Sequence, residues 1–310
     1  MSMASDANTT AFDTQADRHA ATAPTRPFYW SVRRELWEYR SIWIAPLAVS
    51  GIVLFGFLIR LARLPQLLRM ASTLPPMKQN MAFAAPFAGA AAAIIVTGLL
   101  VAVFYCLGTL NGERRDRSIL FWKSLPVSDL TAVLSKAFVP LVILPPILFV
   151  IVVLTQLIML LAGSAVALAS GLDAGTIWAH WPMAKMTLAL IYILVVMTLW
   201  YAPIYGWLLL VSAWARRMTI LWAALIPLGI VVVERIAFDT SYFGSLLKYR
   251  IGGFVHEAFL APGHNPSTID PIALLAPLKY LSSPGLWLGL VVAAILLGAA
   301  VWLRRGREPV

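Results

Sequence analysis

The chain has 310 residues, 60% of them hydrophobic and only 12% charged, with a formal net charge of +10. Its mean hydropathy is +0.82. Soluble globular domains carry about 25% charged residues, so this composition excludes a water-soluble globule and predicts a polytopic membrane protein. The basic excess would suggest nucleic acid in a soluble chain, but here the Lys and Arg residues gather at the ends of apolar runs, where they orient a membrane protein rather than bind a polyanion.

In chain order, residues 1–27 are polar and lack an apolar core, which predicts a disordered cytoplasmic tail and no cleavable signal peptide. Next comes FYWSVRRELWEYRSIW. Phe28, Trp30, Leu36, Trp37 and Tyr39 are interleaved there with Arg33, Arg34, Glu35 and Arg40. That pattern predicts a short helix lying flat at the membrane interface. Six runs long enough to span follow, at about Ile42–Ile59, Met81–Leu110, Ala137–Ala162, Met186–Trp214, Thr219–Val233 and Leu286–Leu303. Pro145-Pro146 predicts a kink in the third. Residues 28–305 therefore form one all-α, six-span domain, with 306–310 as a short C-terminal tail. A five-span arrangement with one re-entrant run is the alternative.

An even span number puts both termini on one side. Fifteen of the 24 basic residues then share that side: five before the first span, five between the second and third, two between the fourth and fifth, and three after the sixth. This split predicts cytoplasmic termini. The segment RLARLPQLLRM, on the opposite side, reads as an amphipathic surface piece. The last outer loop, Asp239–Gly285, carries Leu246, Leu247, Ile251, Phe254, Val255, Phe259 and Leu260. It is too apolar to be free and is expected to dip back or cap the bundle.

The sequence offers little enzyme chemistry. It has no GxxxxGK[ST] loop, no HExxH and no GxSxG. His180, His256 and His264 do not have ligand spacing. Cys106, the single cysteine, lies in an apolar run and reads as a small core residue. No midplane carboxylate marks an ion path. Glu234 and Arg235, near the outer end of the fifth run, read as an interface pair or as a candidate outer gate.

Between the second and third runs lies NGERRDRSILFWKSLPVSD. Asn111-Gly112 predicts a helix end. A mixed charge cluster and the bare patch Ile119-Leu120-Phe121-Trp122 follow. Pro126 breaks the segment, and Ser128-Asp129 predicts the cap of the next helix. Exposed aromatics ringed by charges of both signs suit a protein-docking element. This loop, with six spans and an interfacial helix ahead of them, resembles the permease subunit of type 2 ABC exporters. The resemblance covers about residues 28–305 and is sharp only over Glu113–Asp129. It implies a coupling helix seated on a separate ABC ATP-binding subunit, with contacts from Glu113, Arg114, Arg115, Asp116, Ile119, Leu120, Phe121, Trp122 and Pro126. It also implies ATP bound by that partner and no cofactor or catalytic activity in this chain, a second permease copy or paralogue, and a bacterial inner-membrane location. A non-transporting membrane scaffold or assembly factor is the alternative.

Overall fold

The computed structural model describes residues 27–64, 66, 70, 75–115, 128–171, 173, 175–259 and 272–306. Among these the regular elements are all helical. In chain order they are α1 (Pro27–Glu38), α2 (Ser41–Leu61), α3 (Pro76–Arg115), α4 (Asp129–Phe138), a π turn (Val139–Ile143), α5 (Leu144–Ala169), α6 (Gly175–His180), α7 (Met183–Trp214), α8 (Thr219–Phe238), α9 (Tyr242–Gly252), α10 (Phe254–Ala258), α11 (Pro277–Ser282) and α12 (Pro284–Gly306). Six stretches are long and apolar enough to cross a bilayer: Ser41–Leu61, Lys78–Glu113, Asp129–Ala169, Ile177–Trp214, Thr219–Phe238 and Pro284–Gly306. The chain is an integral membrane protein. Its outward side chains, such as Ile52 and Phe55 on α2, Leu228 and Val233 on α8, and Ile295 on α12, stay exposed in the isolated chain. Lipid covers such surfaces, and the helices satisfy their own backbone groups within it.

The core lies between α3, α5, α7 and α12, around Leu148, Val152, Leu194, Tyr205 and Leu209. At Gly206 the backbones of α7 and α12 approach so closely that a Cβ would lie 3.3 Å from the carbonyl of Ala293. Close backbone approach of this kind is how small residues strengthen packing between membrane helices. Deeper polar contacts tie other pairs. Ser50 and Thr155 share a hydrogen bond of 2.7 Å between α2 and α5. The Gln156 amide donates to the Phe87 carbonyl at 3.2 Å. Cys106 is fully buried.

Two sequence expectations shift in register. The irregularity expected at Pro145-Pro146 appears earlier, as the π turn Val139–Ile143. A proline ring collides with the carbonyl four residues before it, so these two act on Leu141 and Val142, and a wider turn there relieves both. Asn111-Gly112 does not end α3, which runs on to Arg115. Instead, the buried Ser212 hydroxyl of α7 donates to the Leu107 carbonyl at 2.8 Å and accepts from the Asn111 N–H at 3.1 Å. Leu107 and Asn111 are an i, i+4 pair of α3, so one Ser212 hydroxyl fastens α7 to both.

The described part of the last outer loop packs back as expected. Tyr192 donates to the Ala258 carbonyl, Tyr280 to that of Val196, and Tyr201 to that of Ile251. These bonds lay α9, α10 and α11 against α7. Leu260 lies outside the described residues, as do residues 65 and 67–69 of the RLARLPQLLRM segment.

Candidate functional site

Helix α1 turns Val32, Glu35, Leu36 and Tyr39 toward the bundle. That is the i, i+3, i+4, i+7 spacing of one helical face. Its other face leaves Tyr29, Trp30 and Trp37 exposed, and the Arg33 guanidinium lies 5.3 and 5.2 Å from the ring centroids of Trp30 and Trp37. A carboxylate therefore occupies a core position. Helix α4, whose buried face includes Val133, Lys136 and Ala137, packs along α1, with Phe28 edge-on to Phe138 at 5.3 Å. An ammonium thereby enters the same interior from the opposite side.

Glu35 and Lys136, 1% and 2% exposed, meet at 2.5 Å. Glu35 also accepts from Arg34 at 3.0 Å, Tyr105 at 3.0 Å and Thr109 at 3.1 Å. Lys136 donates further to Thr109 at 2.9 Å and pairs with Glu113 at 3.0 Å. Glu113, 6% exposed, takes Arg34 at 2.6 Å on one oxygen and Arg304 at 2.9 Å on the other. Arg304, from the last turn of α12, reaches Asp129 at 3.0 Å through Nε. Six charges from α1, α3, α4 and α12 thus form one node. Buried charges are tolerated when they are paired and hydrogen-bonded, and these carboxylates are. Burial pulls the Arg34 guanidinium down, but Glu35 and Glu113 outweigh it and hold it above its ordinary value. Beside the node, burial and the carboxylates of Glu35, Glu38 and Glu113 push the Tyr39 phenol up to about 12, against a hydrogen bond with Thr109.

The node stands where α3 ends and α4 begins, on either side of residues 116–127. Glu113 lies in the last turn of α3 and Asp129 opens α4, so Arg304 ties these two helix ends together. Ser128 caps α4 as expected, accepting from the Thr131 N–H at 3.1 Å. A pocket of about 390 Å³ opens beside the node, reaching Ser31, Ser128, Ala132, Ser135 and Arg305.

The expected docking residues fall in two groups. Glu113 is committed to the node rather than to a free surface. Arg114 and Arg115 close α3, while Asp116, Ile119, Leu120, Phe121, Trp122 and Pro126 lie outside the described residues. Glu234 and Arg235 diverge. Glu234 accepts from the Tyr242 and Phe243 N–H groups at 2.6 and 2.9 Å, at the start of α9. Arg235 lies 3.8 Å from Asp239, both well exposed. The sequence reading missed Arg34, Glu35, Lys136 and Arg304 as a set. The available signal was scarcity: acids are few in this chain, and both Glu35 and Glu113 sit beside cations at the edge of apolar runs. Among the described residues, no group of His, Cys, Asp and Glu gathers as metal ligands.

Comparison of the chain with protein-family models, curated proteins and solved structures finds no match.

Proposed function

We propose that the chain is the permease subunit of an ATP-driven exporter of the ABC type in the bacterial inner membrane, with both termini cytoplasmic. It forms the substrate path with a second permease copy or paralogue. Its 116–127 loop docks on a separate ATP-binding subunit, with Ile119, Leu120, Phe121, Trp122 and Pro126 as contacts and Asp116 setting orientation. Helix α1 acts as the interfacial elbow, and the catalytic ATP chemistry belongs to the partner. The observation that carries this reading is the node at the loop's base. A loop that must pass force into a bundle needs stiff ends, and Arg304, Lys136 and Arg34 join those ends to the elbow and to the last span. A loop present only to orient the chain would need basic residues and no such frame.

The test is a pull-down and an ATPase assay with the candidate ATP-binding subunit. Truncating a buried aromatic anchor costs about 2–4 kcal/mol, roughly 30- to 1,000-fold in affinity. Phe121→Ala with Trp122→Ala is expected to strip the ATPase from a chain that stays folded. Arg304→Ala is expected to retain the ATPase but to weaken the link between hydrolysis and transport. Wild-type binding and coupled transport in the Phe121/Trp122 double variant would remove the docking reading.

A further inference from the structure

The pocket beside the node has donors that the node does not use. It holds four cations, Arg34, Lys136, Arg304 and Arg305, against three carboxylates, Glu35, Glu113 and Asp129. Each carboxylate is already engaged by a cation. Arg304 uses Nε and Nη1 for this, which leaves Nη2. The neighbouring Arg305, exposed at the rim, makes no ion pair or hydrogen bond among the described residues. Both arginines line the one cavity, and each keeps guanidinium N–H groups without a protein acceptor among the described residues. Ser128 brings the N-terminus of the ten-residue α4 to the same cavity, and a helix N-terminus favours negative charge.

The pocket's height in the membrane narrows the ligand. Arg304 lies twenty residues along α12 from Pro284, which at 1.5 Å per residue is about 30 Å, the thickness of the hydrocarbon layer. The pocket is thus at the level of the headgroups, where the exposed Tyr29, Trp30 and Trp37 of α1 also belong. Paired guanidinium forks match the geometry of phosphate oxygens, and basic pockets between membrane helices bind anionic headgroups. A volume of about 390 Å³ admits a small headgroup, being in the lower part of the ligand-pocket range.

We propose that this pocket binds a phosphate group, carried by an anionic phospholipid or by a soluble phosphate compound, through Arg304 and Arg305 at the start of α4. The proposal goes beyond the transport reading and needs only the pocket's place at the membrane edge.

The test uses the purified full chain in detergent. Native mass spectrometry measures retention of phosphatidylglycerol against diacylglycerol, with and without millimolar inorganic phosphate. The phosphatidylglycerol is expected to be retained and the diacylglycerol lost. Arg305→Gln removes one charge-assisted contact and should weaken retention about tenfold or more. Ala132→Trp fills the cavity without touching a charge and should abolish it. Arg216→Gln, the loss of an exposed charge outside the pocket, should leave it unchanged. Retention against phosphate assigns the site to lipid, and displacement by phosphate assigns it to soluble phosphate compounds. Equal retention by wild type, Arg305→Gln and Ala132→Trp, or binding of neither probe, would overturn the proposal. No ATP-binding subunit enters the measurement, so a failure here leaves the docking reading to its own pull-down.

Discussion

Lys136→Met tests the node most directly. The ammonium is 2% exposed and touches Glu35 at 2.5 Å, Glu113 at 3.0 Å and Thr109 at 2.9 Å. Methionine keeps the unbranched shape, one atom shorter, and removes the charge. Taking one partner from a buried ion pair costs about 3–5 kcal/mol, because the other charge is left without its counterion. Here Arg34 still reaches both Glu35 and Glu113, and Arg304 still reaches Glu113, so the lower end applies. The expected loss is about 3 kcal/mol, roughly 100-fold in the folding equilibrium. Unfolding of the detergent-solubilised protein by SDS titration, followed by the fluorescence of its 12 tryptophans, gives the value. Glu35→Gln and the double variant complete a cycle. Glutamine can still accept from Tyr105 and Thr109, so the double variant should be less destabilised than the two singles together, by about 1–3 kcal/mol. Additivity within about 0.5 kcal/mol would mean that the two residues do not interact, and the node would lose its centre.

The six span-length helices were legible because their apolar runs are long and uninterrupted in the sequence. All six expected runs fall inside the helices found. The inward face of α1 was also open to reading, since Val32, Glu35, Leu36 and Tyr39 keep helical spacing. Glu35 nevertheless stood out in no way from the charges interleaved with the aromatics of α1, beside Arg33 and Arg34. Its decisive partners, Tyr105 and Lys136, are 70 and 101 residues away, and no local spacing encodes such pairs. Lys136 was read as a loop cation obeying the charge bias, but α4 carries it into the interior. The proline signal was right in kind and displaced by a turn, because the steric conflict falls on the carbonyl four residues earlier. Asn111-Gly112 did not end α3, which continues to Arg115. Ser212, on α7, holds that part of α3 through Leu107 and Asn111. Glu234-Arg235 shows a further limit. The two take different partners: Glu234 accepts from the first N–H groups of the next helix, and Arg235 stands near Asp239.

Orientation and the outer cap remain as expected outcomes. With Cys106 removed, single cysteines at Ser2 and Ser118 should resist an impermeant thiol reagent in intact cells, and one at Ser267 should label. Labelling of position 118 from outside would reverse the topology. The cap is held by Arg250. Its guanidinium lies 4.6 Å from the Trp200 ring centroid and donates to the Gly285 and Trp200 carbonyls at 2.9 and 3.3 Å. It fills the space where a Cβ on Gly289 would stand. One planar cation thus fastens α9 to both α7 and α12. A charged hydrogen bond and a cation–π contact together are worth about 2–3 kcal/mol. Arg250→Ala should therefore speed amide exchange across Tyr242–Gly252 about 30-fold or more. Lysine cannot reproduce the fork, so Arg250→Lys should recover only part of the protection. Gly289→Ala leaves the arginine in place but occupies its seat, and should loosen the same helix. Wild-type exchange in both Arg250→Ala and Gly289→Ala would show that the tyrosine hydrogen bonds from α7 and α11 hold the cap without Arg250.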